Sequence, residues 1–426
     1  MYKHLLNARA GLFLMTIALL LLFQTAGAQT RISSPYSRFG LGELQFNQNF
    51  RNMGMGGLGM AYRSNKSVNY LNPASYTAFD TTSFVFEATV FSHFYQQITA
   101  TQNQHSNYTS LGSFTFGFPV TKWWGASFGL KPFSSVGYLV SDSSFDEQIG
   151  QVNFQYEGEG GINQVFIGNA FRVLPGLSLG LNASYLWGNL ERHSTVYSDS
   201  TGFFLTNQVR SNHINGWHFG LGAQYELELS ETRKITFGAI YGNDNPVNTR
   251  TTETIQRLLP GFTRFDTISH KEGVRGEIVI PAYFGAGTFI NFNSFWAAGV
   301  DFQWQNWEDF EMFGASENLN NSYQVAFGIQ HNPSVQTYSG FFNRMEYRAG
   351  FRYGQTYLNP RETNINEFGI SFGTGIPVRR SLSGLNLSFE YGQRGTIENN
   401  LIRENFFRIN LGVNVYERWF IRRRFF

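Results

Sequence analysis

An all-β fold is predicted here: an antiparallel transmembrane barrel of about fourteen strands wrapped around an N-terminal plug. Three observations predict it. From Thr82 onward, apolar and polar residues alternate with a period of two through one segment after another, the spacing of a strand with two unlike faces. The 426-residue chain holds only 15% charged but 17% aromatic residues and 45 glycines. Its mean hydropathy is below zero, which fits a membrane barrel and excludes a bundle of apolar helices. The alternating segments also reach the roughly 9–11 residues that a tilted membrane strand needs. Alternation by itself fits a water-soluble sandwich with its apolar face inward equally well. The number and length of the segments, and an export signal, decide for the barrel.

That signal is the first element, residues 1–28. Lys3, His4 and Arg9 make a basic start, and Gly11 to Phe23 is an apolar run too short to span a bilayer comfortably. Ala26-Gly27-Ala28 has the small-x-small form of a cleavage site. Export past a Gram-negative inner membrane to the outer membrane is therefore expected. Without Lys3 and Arg9 the remaining basic and acidic residues balance, which argues against a nucleic-acid partner.

Residues 29–80 are glycine-rich (Gly40, Gly42, Gly54, Gly56, Gly57, Gly59), do not alternate, and end in Leu71-Asn72-Pro73-Ala74-Ser75. This is the expected plug, or hatch. Pro73 restricts Asn72 to extended or turn backbone, and the Asn72 side chain can bond its own backbone there. The turn reads either as a gate or as an ordinary lead-in to the first strand.

Residues 81–426 are expected to be the barrel. Its segments are 83–97, 108–119, 124–140, 161–173, 177–190, 212–228, 234–242, 276–291, 295–307, 322–331, 343–355, 365–377, 384–396 and 404–417. Short turns join one end of these pairs and longer loops (141–160, 191–211, 243–275, 308–321) join the other, as in outer-membrane barrels. Eight Trp residues, Trp123, Trp217, Trp296 and Trp307 among them, lie near segment ends, where interfacial belts place them. Pro132 interrupts the third segment between Lys131 and Phe133. Proline cannot donate to a ladder, so it marks a bulge or a break, and Pro281 interrupts the eighth in the same way.

The inward set of charges includes Arg344, Glu346, Arg348, Arg352 and Arg408. Charges in a barrel lumen pair with one another and with the plug, and one Arg could also receive a ligand carboxylate. Apolar residues Phe203, Phe204 and Leu205 in one loop, and Leu258, Leu259 and Phe262 in another, read as a binding patch or as loop–loop packing. The C-terminal Arg422-Arg423-Arg424-Phe425-Phe426 reads either as a periplasmic tail or as part of the aromatic end that barrel insertion machinery reads. With no Cys, no nucleophile-elbow, zincin or P-loop motif, and scattered histidines, neither an enzyme nor a cofactor is expected.

The chain resembles the FadL/TodX family of outer-membrane transporters for hydrophobic compounds. Asn72-Pro73-Ala74 stands at the end of the plug, where that family's hatch ends. The run Gly276-Glu277-Ile278-Val279-Ile280-Pro281, with Gly285, Gly287, Asp301 and Trp307 after it, resembles the family's Leu-Pro-Glu strand, with Ala282 in place of the usual Glu. The resemblance covers the mature chain. It implies a monomeric channel for passive uptake of hydrophobic compounds such as long-chain fatty acids. The two apolar loops would capture the ligand, the plug would guide it, and a break at Lys131-Pro132-Phe133 would release it sideways into lipid. The alternative is a non-transporting interaction protein of the PorV type, associated with type IX secretion, with protein partners in the outer membrane.

Overall fold

The computed structural model describes residues 34–45, 49–198, 205–258, 265–333, 340–378 and 382–418. The expected signal peptide and the tail after Arg418 therefore lie outside the described residues. Sixteen strands of nine residues or more are numbered here in chain order: β1 Ser83–Ile98, β2 Asn103–Pro119, β3 Trp124–Asp146, β4 Gly150–Leu174, β5 Leu177–Ser198, β6 Leu205–Glu228, β7 Lys234–Gly242, β8 Asn245–Leu258, β9 Phe265–Ile280, β10 Tyr283–Asn291, β11 Trp296–Gln305, β12 Ser322–His331, β13 Glu346–Gln355, β14 Asn366–Pro377, β15 Gly384–Arg394 and β16 Arg403–Arg418.

Fourteen of them, β1–β7 and β10–β16, form a closed antiparallel barrel. β16 returns to β1, from Arg403 opposite Ile98 to Arg418 opposite Ser83. The hairpin β8–β9 stands outside this count. β6 pairs with β7 along Leu221–Glu228 and with β8 along Leu205–Asn215, while β7 pairs directly with β10.

Each of the fourteen barrel strands carries at least one exposed large apolar side chain, including Phe94, Phe128, Ile167, Trp217, Phe327 and Phe407. The opposite face buries Glu87, His93, Asp301, Arg348 and Arg408. The apolar face thus points outward all the way round, the inverse of a soluble sandwich and the pattern of a barrel in lipid.

Three expectations are corrected. The stretches 141–160, 191–211 and 243–275 are mostly ladder rather than loop. Asp146 pairs with Gly150, Val152 with Ser198 and Leu205 with Leu258. Residues such as Ser141, Asp142, Gln151 and Asn153 are polar on both faces and carry no alternation signal, yet backbone pairing alone sustains the strand. The predicted segment 276–291 divides at Pro281-Ala282 into β9 and β10, because proline ends the ladder there. Trp307 is 1% exposed and stacks on Tyr357 at 4.3 Å, so it belongs to the core and not to an interfacial belt.

That core lies along the inner face of the lengthened strands. Val136, Tyr138, Ile162, Leu186, Ile214 and Ile278 meet Trp307, Phe310, Leu319, Tyr357 and Ile365 from the connecting segments. Tyr36 and Leu41 join it from the N-terminal segment.

Candidate functional site

The N-terminal segment is a series of small caps. Ser34 caps the 3-10 turn Pro35–Arg38, Asn49 caps Phe50–Met53, and Asn72 caps Pro73–Ala78, each side-chain oxygen accepting from a backbone N–H two residues on. Between the first two, Gly42 (φ +92°) turns the chain so that Glu43 and Leu44 pair antiparallel with Ser135 and Ser134 of β3. A side chain at Gly42 would meet the Ser135 carbonyl at 2.5 Å.

Asn72, Pro73 and Ala74 are buried. The Asn72 amide donates to the carbonyls of Met60 (2.6 Å), Ala223 (3.1 Å) and Ala239 (3.2 Å), tying the turn to β6 and β7. A Cβ at Gly180 would come within 2.4 Å of the Ala74 nitrogen, and one at Gly222 within 2.1 Å of Asn72 Oδ1. Opposite, Asp301 accepts from Gly59 N (2.7 Å) and Met60 N (2.9 Å). Gly180→Ala is expected to unseat the turn, because backbone atoms cannot move aside as a side-chain tip does. Asn72→Ala is expected to cost about 1–3 kcal/mol by stranding buried carbonyls and a cap. Limited proteolysis after Thr81 and detergent melting curves measure both effects.

Lys131, Pro132 and Phe133 sit where the wall changes. The β2–β3 ladder ends at Phe114 opposite Leu130. On its other edge β3 continues along β4, with a register shift between Pro132 and Ser134. The in–out alternation of burial also ends there, and Ser134–Tyr138 are buried on every residue. The edge of β3 that leaves β2 is taken up by the N-terminal segment. Gln45 N donates to the Phe133 carbonyl (2.9 Å) and Ser34 N to the Gly137 carbonyl (3.1 Å).

Lys131 is buried, with Nζ 4.9 Å from the centre of the Tyr70 ring. It lines three cavities that meet around it. The largest, about 240 Å³, is walled by Phe133, Tyr283, Trp307 and Tyr357 and floored by Glu43, Arg352 and Arg408. One of about 30 Å³ shares Phe133, His218 and Tyr283 with it. One of about 50 Å³ lies against Gly112 and Pro132, where the ladder is interrupted.

Five arginines, Arg51, Arg348, Arg352, Arg394 and Arg408, are paired with carboxylates. Arg51 and Arg348 both bond Glu346. Arg352 bonds Glu367 and, at 2.5 Å, Glu390. Arg408 reaches Glu390 at 3.3 Å and Glu43 at 3.6 Å, and Arg394 bonds Glu404 at 2.7 Å and Glu43 at 3.2 Å. Arg344 lies in the turn Phe342–Arg344 before β13, so it leaves the strand-borne set. Sequence reasoning passed over Glu43, Glu367, Glu404, His218 and Tyr283. Strand alignment carried a signal for two of them, since Glu367 and Glu404 stand directly opposite Arg394 on the neighbouring strands.

Of the expected capture residues, Leu205 and Leu258 are half-buried cross-strand partners at the tips of β6 and β8. Phe203, Phe204, Leu259 and Phe262 lie outside the described residues.

A family model described as BamG matches residues 12–426. No curated protein matches. Among solved structures, the Pseudomonas putida toluene transporter TodX is 17% identical with a TM-score of 0.60, over 90% of this chain and 100% of that one. The CymD monoaromatic hydrocarbon channel is 14% identical with a TM-score of 0.57, over 88% and 98%. A Pseudomonas aeruginosa FadL homologue is 12% identical with a TM-score of 0.56, over 87% and 98%. At such identities the likeness shows a shared fold.

Proposed function

The chain belongs to the BamG family, and from that premise we propose that it is an outer-membrane channel for the passive uptake of hydrophobic compounds, among them long-chain fatty acids. The observation that carries this reading is the interrupted β2–β3 ladder with cavities meeting just inside it. A break in a barrel wall leaves backbone groups that lipid cannot satisfy, so it persists only where something else serves them. Residues 29–80 act as the hatch, Asn72-Pro73-Ala74 holds it against the wall, and Lys131-Pro132-Phe133 borders the sideways exit. The tips of β6 and β8, with Leu205 and Leu258, form part of the capture surface. The ligand is a hydrophobic small molecule or lipid, the barrel works as a monomer, and no cofactor takes part.

Proteoliposomes containing the chain are expected to take up a fluorescent fatty acid faster than protein-free vesicles, and the purified barrel to carry a hydrophobic molecule in native mass spectrometry. Pro132→Val supplies the missing N–H and should retain binding while slowing passage. Uptake at the protein-free rate, with no bound molecule, would refute the channel.

One observation favours a second reading, a non-transporting interaction protein of the PorV kind. The edge of β3 is already occupied by Glu43–Leu44. On that reading, crosslinking in intact outer membranes recovers a stoichiometric protein partner while uptake stays at background.

A further inference from the structure

We infer that the edge of β3 above Gly137, residues 139–146, is a docking edge for an extended, basic segment of a partner protein, which adds to it as a further antiparallel strand. The inference goes beyond the channel reading and needs no passage of cargo. Above the lipid belt β3, β4, β5, β6, β8 and β9 form one continuous sheet. Such a sheet has two outer edges, and the chain treats them differently. On β9 the register shifts twice, at Thr267/Ser269 and at Lys271/Val274. Bulges and an edge lysine are devices that keep a bare edge from pairing. The upper part of β3 carries neither. Its register on β4 is unbroken from Ser134 opposite Ile162 to Asp146 opposite Gly150, and residues 139–146 include no Lys and no Pro.

The N-terminal segment shows which residues face this edge. Gln45 N donates to the Phe133 carbonyl, Ser34 N donates to the Gly137 carbonyl, and Gly137 N donates to Ser37 Oγ. Outward backbone groups recur at every second residue, so Leu139, Ser141, Ser143 and Phe145 follow. β2, the neighbour lower down, leaves the ladder at Phe114 opposite Leu130. No strand among the described residues takes its place above Ser135. One local bond is made there, from Ser143 N to Asp142 Oδ1 at 2.9 Å. A row of N–H and C=O groups without a facing strand is the template that an extended segment completes.

Charge selects the segment. Between Phe133 and Phe171 the chain has five carboxylates, Asp142, Asp146, Glu147, Glu157 and Glu159, and no Lys or Arg. None of the five forms an ion pair among the described residues. Asp142 and Asp146 are exposed and share one face of the strand, while Leu139 and Phe145, 44% and 80% exposed, share the other. A complementary antiparallel strand therefore sets basic residues opposite Asp146 and Asp142, and apolar ones opposite Phe145 and Leu139.

The test uses the full mature chain in nanodiscs and the fluorescent peptide Lys-Val-Thr-Thr-Lys-Thr-Thr-Val, capped at both ends, read by anisotropy against empty nanodiscs. Saturable binding is expected. N-methylation at the two peptide residues opposite Phe145 and Ser141 removes two net hydrogen bonds and should weaken binding about tenfold. Glutamate in place of both lysines should weaken it at least as much, and Asp142→Asn/Asp146→Asn should reduce the difference between the lysine and glutamate peptides. Ser141→Pro removes an outward N–H without touching the β4 ladder and should abolish binding. Should that variant misfold, the two modified peptides on the wild-type chain decide. No saturable binding, or a methylated or glutamate peptide that binds as tightly as the parent, overturns the inference. Self-association of the barrel that Ser141→Pro abolishes would assign the edge to a second copy and also overturn it. Peptide binding is read without uptake, so failure of the channel leaves the docking edge untouched.

Discussion

A Leu44→Cys/Ser134→Cys variant is expected to lose uptake when oxidised and to recover it on reduction. The two residues are Cα partners in the short antiparallel pairing of the N-terminal segment with β3. Such partners stand about 4.5–5.5 Å apart, within the span a disulfide bridges. The chain has no cysteine of its own, so no other thiol competes. If hydrophobic cargo leaves between β2 and β3, Glu43 and Leu44 must move off the β3 edge, because nothing else among the described residues pairs with it at Ser134–Ser135. The crosslink pins them there. Uptake into proteoliposomes is measured with and without a thiol reductant, beside each single-cysteine variant. Equal uptake in the oxidised and reduced states would exclude this gap as the route.

Replacing Arg394 by methionine is expected to destabilise the barrel by about 3–5 kcal/mol, the usual effect of removing one partner from a buried ion-pair network. Arg394 bonds Glu404 at 2.7 Å, Glu43 at 3.2 Å and Ser34 Oγ at 3.1 Å, and the Glu404 side chain is fully buried. Its loss leaves carboxylates buried without their cation and loosens Ser34 and Glu43 from the wall. The double change Arg394→Met/Glu404→Leu should recover part of the loss, since removing both partners leaves fewer orphaned charges. Urea unfolding in lipid vesicles, followed by the gel shift of the folded barrel, measures both. A single variant as stable as wild type would show the network to be energetically idle.

Much of the architecture was legible because a strand's two faces differ in polarity every second residue. Phe407, Ile409 and Leu411 against Arg408 and Asn410 announce β16 without any partner in view. The upper parts of β3 to β6 were not legible for the same reason. Above the lipid belt both faces are polar, as at Ser141 to Ser143, and the backbone pairing that makes them strands leaves no mark on composition. The paired charges were half legible. Arg348, Arg352 and Arg408 show as inward residues on their own strands, but the carboxylate that each meets depends on register. The pairing of Glu43–Leu44 with β3 joins residues about ninety positions apart, and no local pattern foretells it.

The sequence by itself determined the number of barrel strands, the antiparallel class and the position of the interruption at Pro132, all consequences of local chemistry: side-chain alternation and a missing N–H. Alternation by itself did not determine which face of those strands points outward, because it is the same in a sandwich and in an inverted barrel; tertiary structure settled it. Closure of β16 onto β1 turns the apolar residues outward and leaves the charges no solvent but one another. It also decided what fills the edge that β2 leaves. An unpaired strand edge must find a partner, and only the folded chain brings Glu43 and Leu44 to it.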